Sequence, residues 1–360
     1  MHLLGIATAQ ADCAVTQPAA AKMAVPLCCR SDQQRRLLPA LYRRSQVERR
    51  STVLVDTIDD APVQSFFHPA VDAQDKGPTT QQRMLRYSTE ARHLAVRAGA
   101  AALAEASMPP GRITHLITVS CTGFEAPGFD VTLIKQLKLS PSVARTHVGF
   151  MGCHGALNGL RMASAFVDAD PAAVPLLCAV ELCSLHFQYG WDPQQLVANA
   201  LFADGAAATI GVAALNADRE VWRLAASGSY LIPDCEDAMT WRIADHGFVM
   251  TLSTRVPELI GQHLRPWLKS WLADHDLSVD QIGSWAIHPG GPRIVSAVAE
   301  ALDLPDALLA PSRRVLAECG NMSSPTVLFI LERLGRDRAP RPCVALGFGP
   351  GLAVETALFF

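Results

Sequence analysis

Short apolar runs alternate along the chain with glycine-rich turns and stretches of helical spacing. At the start, MHLLGIATAQ has no basic leader and reads as a first strand rather than a signal peptide. Residues 30 to 50 form a basic stretch with helical character. It holds Arg30, Arg35, Arg36, Arg43, Arg44, Arg49 and Arg50. Pro62 to Thr80, rich in Pro, Asp and Gly, predicts a loop, and Gln82 to Ala106 an alanine-rich helix. Ile113 to Ser120 (ITHLITVS) is an apolar strand, followed by the loop CTGFEAPG and a helical run to Leu137. A second short strand, Thr146 to Phe150, leads through Gly152-Cys153-His154-Gly155 into a helix from Ala156 to Ala165.

The later chain repeats the pattern. Ile282 to Ile287 is a strand, followed by His288-Pro289-Gly290-Gly291-Pro292 and a helix to Leu302; Glu318-Cys319-Gly320-Asn321 then precedes a helical run from Thr326 to Leu334. Each half closes on a buried strand with a glycine-rich turn: Pro175 to Val180 with Asp204-Gly205, and Cys343 to Phe348 with Gly349-Pro350-Gly351. Val344 to Phe348 and Leu352 to Phe359 flank that last turn and read as a hairpin. Cys121 and Cys153 stand 32 positions apart, and His288 and Asn321 stand 33 apart. Any α/β chain shows repeated strand–loop–helix units, but the matched loop spacing favours an internal duplication, residues 1–215 followed by 216–360. A doubled unit sets equivalent loops on the same side of two adjoining sheets, which brings Cys153, His288 and Asn321 toward one place.

Composition narrows the class. In 360 residues, 49% hydrophobic and 18% charged, disorder is excluded. A net charge of −3 argues against nucleic acid as the main partner. The longest apolar candidate for a membrane span, Val174 to Leu185, is short and carries Glu181. These features predict a globular, cytoplasmic protein. Ten cysteines include no CxxC pair, and no Cys or His spacing matches a structural metal site, so no metal is expected.

The chemistry rests on three loops. Cys153 stands between glycines at a strand-to-helix junction, where the helix N-terminus is expected to lower a thiol pKa; packing alone also explains a lone Gly-Cys turn. His288 ends an apolar strand ahead of a rigid Pro-Gly-Gly-Pro, and a histidine capping a strand for structural reasons is equally consistent. Asn321, ahead of a helix, is either an ordinary N-cap or an amide donor to a developing oxyanion. Together, a thiol, an imidazole and an amide on repeat-equivalent loops suit thioester chemistry. The cysteine takes an acyl group, and the other two hold the carbonyl oxygen of a second thioester. If that second thioester is malonyl, loss of carbon dioxide leaves an enolate that attacks the acyl-cysteine.

GFMGCHGALNGL around Cys153, WAIHPGGPRIV around His288, ECGNMSSPTVLFIL around Asn321 and the closing GFGPGLAVE resemble the type III polyketide synthases, the chalcone synthase superfamily. The likeness runs over nearly the whole chain. It implies a thiolase-like duplicated αβαβα five-layer α/β fold and a homodimer. It also implies acyl-CoA and malonyl-CoA as substrates, with no cofactor. By the same resemblance Cys153 is the nucleophile, while His288 and Asn321 drive decarboxylation. Phe202, in ALFADGAAA, matches a gatekeeper phenylalanine; Met250 stands at the second gatekeeper position, a departure. Cys121 and Trp241 also depart from the plant pattern. With DHGF after the tryptophan they are similar to bacterial alkylpyrone and alkylresorcinol synthases, which implies a fatty acyl starter in an apolar channel. Ser323, Gly349 and Pro350 belong to the pocket motifs. Of the coenzyme A-binding basic positions only Arg44 matches, Leu37 and Ala40 standing at two others, and a solvated helix face explains most of the remaining arginines. Three other readings stay open at this level: a carrier-protein-dependent ketoacyl synthase, a thioester hydrolase and a non-catalytic thioester-binding protein.

Overall fold

The run Gly5-Ile6-Ala7-Thr8-Ala9 lies in β1 (His2–Gln10), and its small side chains let helices close on both faces of the strand. The computed structural model describes residues 1–58, 61–215 and 219–360. After β1 come β2 (Ala14–Thr16), α1 (Gln17–Cys28), α2 (Asp32–Arg44), β3 (Arg49–Ser51), β4 (Val55–Ile58) and β5 (Ala61–Gln64). The first half continues with α3 (Thr80–Ala106), β6 (His115–Ser120), α4 (Phe129–Gln136), β7 (Ala144–Gly149), α5 (Gly155–Ala169), β8 (Pro175–Leu182), α6 (Pro193–Leu201) and β9 (Asp204–Val212). The second half has β10 (Trp222–Leu231), the hairpin β11 (Met239–Ala244) and β12 (Gly247–Leu252), α7 (Val256–Ala273) and β13 (Ser284–Ile287). It ends with α8 (Pro292–Leu302), α9 (Ala310–Cys319), α10 (Thr326–Arg336), β14 (Cys343–Gly349) and β15 (Ala353–Phe359).

The pairings repeat. In the first half β1–β9 and β9–β8 are antiparallel and β8–β6 is parallel; in the second, β10–β15 and β15–β14 are antiparallel and β14–β13 is parallel. Five layers follow. Helix α3 covers one face of β1, β9 and β8, while α5 and α10 fill the space between the two strand sets, and α7 and α8 close the far side. One expectation changes. The two sheets are joined edge to edge in the order β13-β14-β15-β10-β1-β9-β8-β6-β7, through only His2↔Arg223 and Leu3↔Trp222 between β1 and β10. That short seam pairs edge groups that would otherwise be open. The division expected after residue 215 falls beside residues 216–218, which lie outside the described residues.

Local chemistry explains the elements that carry the site. Capping boxes, Ser31 with Gln34 and Thr79 with Gln82, start α2 and α3. Pro292 at the first position of α8 ends the loop begun by His288. The arginine stretch is not one helix: α2 stops at Arg44, and Arg49 and Arg50 lie in β3, paired with β2. The expected loop after Pro62 is shortened at its start by β5 and gives way to α3 at Thr80.

Leu160 of α5 is fully buried in the central layer, whereas Val71 is 81% exposed. Leu160→Ala is expected to lower unfolding free energy by about 2–5 kcal/mol, and Val71→Ala to change it by no more than about 0.5 kcal/mol. Denaturant unfolding of the two variants checks the assignment of the central layer.

Candidate active site

Strand β7 delivers the chain into a strained turn. Phe150 and Gly152 have φ of +59° and +82°, and Cys153 follows just ahead of α5. Gly152 is required twice: by its φ, and because an added Cβ would lie 2.3 Å from Cδ of Pro350. The GFGPG turn therefore packs directly on the cysteine turn, which is why the two motifs occur together. The Cys121 thiol braces the same place, its Sγ accepting the Gly152 N–H at 3.0 Å.

Asn321 is not the cap of α10, which begins at Thr326 after Pro325. Its Oδ1 accepts the Ser323 N–H at 2.8 Å, and this assigns the carboxamide NH₂ as the group that bonds the Cys153 sulfur. The Ser323 hydroxyl donates to the same sulfur at 3.5 Å, from a residue held at φ +54°. Burial pushes the Cys153 thiol up to about 11, against the pull of the Ser323 and Asn321 donors. The direction is opposite to the lowering expected from the helix N-terminus, burial of the sulfur being the largest cause. His288 is 1% exposed, and neither ring nitrogen has a partner among the described residues. Burial, and then neighbouring His154, push its imidazole down to about 3, so it stays neutral. Its backbone N–H donates to Leu346 of β14, next to Gly347, whose added Cβ would lie 3.0 Å from the His154 Cβ.

Above the sulfur opens a cavity of about 1180 Å³ of empty space, its mouth included. Cys121, Cys153, Phe202, Trp241, Met250, Ser323 and Pro350 all line it. Trp241 and Met250 are cross-strand partners on the β11–β12 hairpin, and the Trp241 indole N–H donates to the Cys121 carbonyl at 2.8 Å. Asn321 and His288, both buried, are not among its lining residues. Gly349 is there for space: an added Cβ would lie 2.4 Å from the His154 ring. Arg44 is exposed on the last turn of α2, outside the lining.

Residues 1–214 match the N-terminal domain model of chalcone and stilbene synthases, and residues 223–360 match the C-terminal domain model. The chain belongs to that family. It is a type III polyketide synthase, an acyltransferase with a thiolase-like fold. It is 34% identical over 334 residues to the alpha-pyrone synthesis polyketide synthase-like protein of Mycobacterium tuberculosis, covering 91% of this chain and 82% of the relative. To the 1,3,6,8-tetrahydroxynaphthalene synthase of Streptomyces peucetius it is 38% identical over 270 residues, 74% of this chain and 72% of the relative. Among solved structures, a polyketide synthase of the brown alga Ectocarpus siliculosus superposes with a TM-score of 0.92 at 30% identity, covering 99% and 97% of the two chains. The tetrahydroxynaphthalene synthase of Streptomyces coelicolor gives a TM-score of 0.84 at 28% identity, covering 100% of this chain and 99% of that one.

Two groups of the synthase's site escaped the sequence reading. Glu181, inside the apolar strand β8, accepts from the Cys121 N–H at 2.9 Å and from the hydroxyls of Thr122 and Ser324, each at 2.7 Å. Burial pushes its carboxyl up to about 7 against those donors. It ties the Cys121 loop to the segment after Asn321. His186 stacks on Phe248 with centroids 4.2 Å apart and meets Trp241 edge-on, forming a cavity wall. Its Nδ1 accepts the Phe248 N–H at 2.9 Å, so Nε2 carries the hydrogen and donates to the Thr122 carbonyl at 2.7 Å. An apolar run interrupted by one acid or one histidine gives no signal for either role.

His186 and His288 are both pushed down from 6.5 to about 3. The unfolded chain therefore binds more protons than the folded one between those values. Each group's contribution is present above pH 6.5 and is lost as pH falls through that window. At pH 5 the loss is about 2 kcal/mol per histidine. His288→Gln is expected to lose less stability than the parent between pH 7.5 and 5, by about that amount. Parallel denaturation curves at the two pH values would mean His288 is not held neutral by burial.

Proposed function

We propose that the synthase loads a fatty acyl group from acyl-CoA onto Cys153, extends it with malonyl-CoA and closes the product as a pyrone or resorcinol-type ring. The observation that carries this reading is the buried Cys153 sulfur, with Asn321 and Ser323 as its donors, at a cavity whose α1 side is apolar. The cavity takes Ala20, Met23, Ala24 and Leu27 from one face of α1, and Phe67 and Phe187 from the loops beside it. Such a wall suits an alkyl chain, which gains about 0.8 kcal/mol per buried methylene. The name of the mycobacterial relative, with its alpha-pyrone product, supports the same class.

In the first step the thioester carbon–sulfur bond to coenzyme A breaks and one to Cys153 forms, the thiol proton leaving with the coenzyme A thiol. Malonyl-CoA then loses carbon dioxide, and the resulting enolate oxygen takes hydrogen bonds from the Asn321 carboxamide and neutral His288. The unpartnered nitrogens of His288 are groups that need such a partner. Attack of the enolate carbon on the acyl-cysteine makes the new carbon–carbon bond and frees Cys153. Enclosure keeps water from hydrolysing the acyl-enzyme.

Phe202 and Met250 act in this reading as gatekeepers. Trp241, Cys121, Ser323, Pro350 and Gly349 shape the pocket, and Arg44 meets the coenzyme A phosphates. Residues 1–215 and 216–360 are the two thiolase-like halves. A homodimer is proposed from membership of the family. Among the described residues no helix is long and apolar enough to cross a membrane. Free buried thiols such as Cys28, Cys178 and Cys343 suit the reducing cytoplasm.

Cys153→Ala is expected to abolish both acyl-enzyme and product in a folded protein; retained condensation would place the nucleophile elsewhere. Asn321→Ala is expected to slow malonyl-CoA decarboxylation by about 10² or more, the scale for one oxyanion donor. An unchanged rate removes Asn321 from the mechanism. Mass analysis of products from a panel of acyl-CoAs with malonyl-CoA tests the starter, long acyl chains being expected to yield extended, dehydrated rings. Free fatty acid alone would indicate a hydrolase, and turnover confined to short starters would overturn the fatty acyl assignment.

A further inference from the structure

Arg50 is the one arginine of the basic stretch that lines the cavity, and it binds protein rather than facing water. Its Nη1 donates to the carbonyls of Asn199 at 2.6 Å and Phe202 at 2.8 Å. Those carbonyls belong to the C-terminal end of α6, where the last turn lacks intrahelical partners and carries partial negative charge. A guanidinium there makes charge-assisted bonds, roughly twice as strong as neutral ones. The other side of Arg50 is fixed too: Cζ lies 5.8 Å from the ring centroid of buried Tyr42, and the backbone pairs with Val15 across β2–β3.

The two residues beyond that helix end are stitched to Asn321. Asn321 donates its N–H to the Leu201 carbonyl at 2.9 Å, and Ala203 donates to the Asn321 carbonyl at 2.9 Å, a parallel bridge centred on Phe202. The packing is direct: an added Cβ on Gly320 would lie 3.1 Å from the Leu201 oxygen and 3.2 Å from the Arg50 Cβ. A shift of the α6 terminus is therefore a shift of the Asn321 backbone and of the Phe202 ring together.

We propose that Arg50 is a positioning residue for decarboxylation, capping α6 so that its end holds Asn321 and the Phe202 ring in place beside the Cys153 sulfur. The proposal rests on the role given above to Asn321. It assigns to the basic stretch a second task, distinct from phosphate binding and carried by a residue in β3 rather than α2. A displacement of about 1 Å at a catalytic group lowers rate on the order of 10²-fold, so a cap of this kind is visible in kinetics.

The test separates the two half-reactions on folded protein. Malonyl-CoA decarboxylation is measured by carbon dioxide release, and loading of Cys153 from an acyl-CoA by intact mass. In Arg50→Met the ratio of decarboxylation to loading is expected to fall by about 10- to 100-fold. Arg50→Lys, which still donates to both carbonyls, is expected to recover it to within about threefold. Equal losses in both half-reactions, or an unchanged ratio, overturn the proposal. Should Arg50→Met not fold, Arg50→Gln, whose amide is too short to span both carbonyls, carries the same comparison. Asn321→Ala in the same assay tells the two readings apart. If it decarboxylates normally, the role of Asn321 fails; if it is impaired while Arg50→Met is not, the positioning role alone fails.

Discussion

The structure depends on how one sulfur is enclosed. Cys153 gives up water for two donors, the Asn321 carboxamide and the Ser323 hydroxyl, both from the second half of the chain. Two neutral donors do not match bulk hydration, and the thiol is accordingly pushed up to about 11. What the enclosure provides is order. The sulfur, its donors and the cavity wall hold their relative places before substrate arrives, so little reorganisation is left for the reacting state.

That enclosure requires two turns to touch. Gly152 and Pro350 meet at a distance no side chain would permit, and the His154 ring fills the room left at Gly349 and Gly347. Farther out, Glu181 links the Cys121 loop to Ser324, and Arg50 links β3 to the end of α6 and so to Asn321. These links cross between residues from both halves of the chain. A duplicated fold brings equivalent loops together, and the polar bridges between them keep the loops in register.

The strand–turn–helix units around Cys153 and His288, and the turn at Asn321 ahead of α10, were legible because their glycines and prolines have one physical meaning each. The repeat was legible from loop spacing, and the strand pairings reproduce it. The seam between β1 and β10 was not, since two residue pairs leave no pattern. Arg50 was hidden in a basic run whose other members read equally well as solvated. Glu181 looked like an interruption of an apolar strand, because its partners are distant hydroxyls and an amide. The direction of the Cys153 shift was not legible for a related reason: a helix terminus is local and readable, whereas burial is set by the tertiary structure.

Three thiols, Cys121, Cys153 and Cys183, line the same cavity, and in the proposed mechanism only Cys153 takes the acyl group. Peptide mapping of the synthase after brief exposure to a long-chain acyl-CoA decides this most directly. The acyl mass is expected on the peptide holding Cys153 and on neither of the other two. Acylation of Cys121 or Cys183 in its place would contradict it.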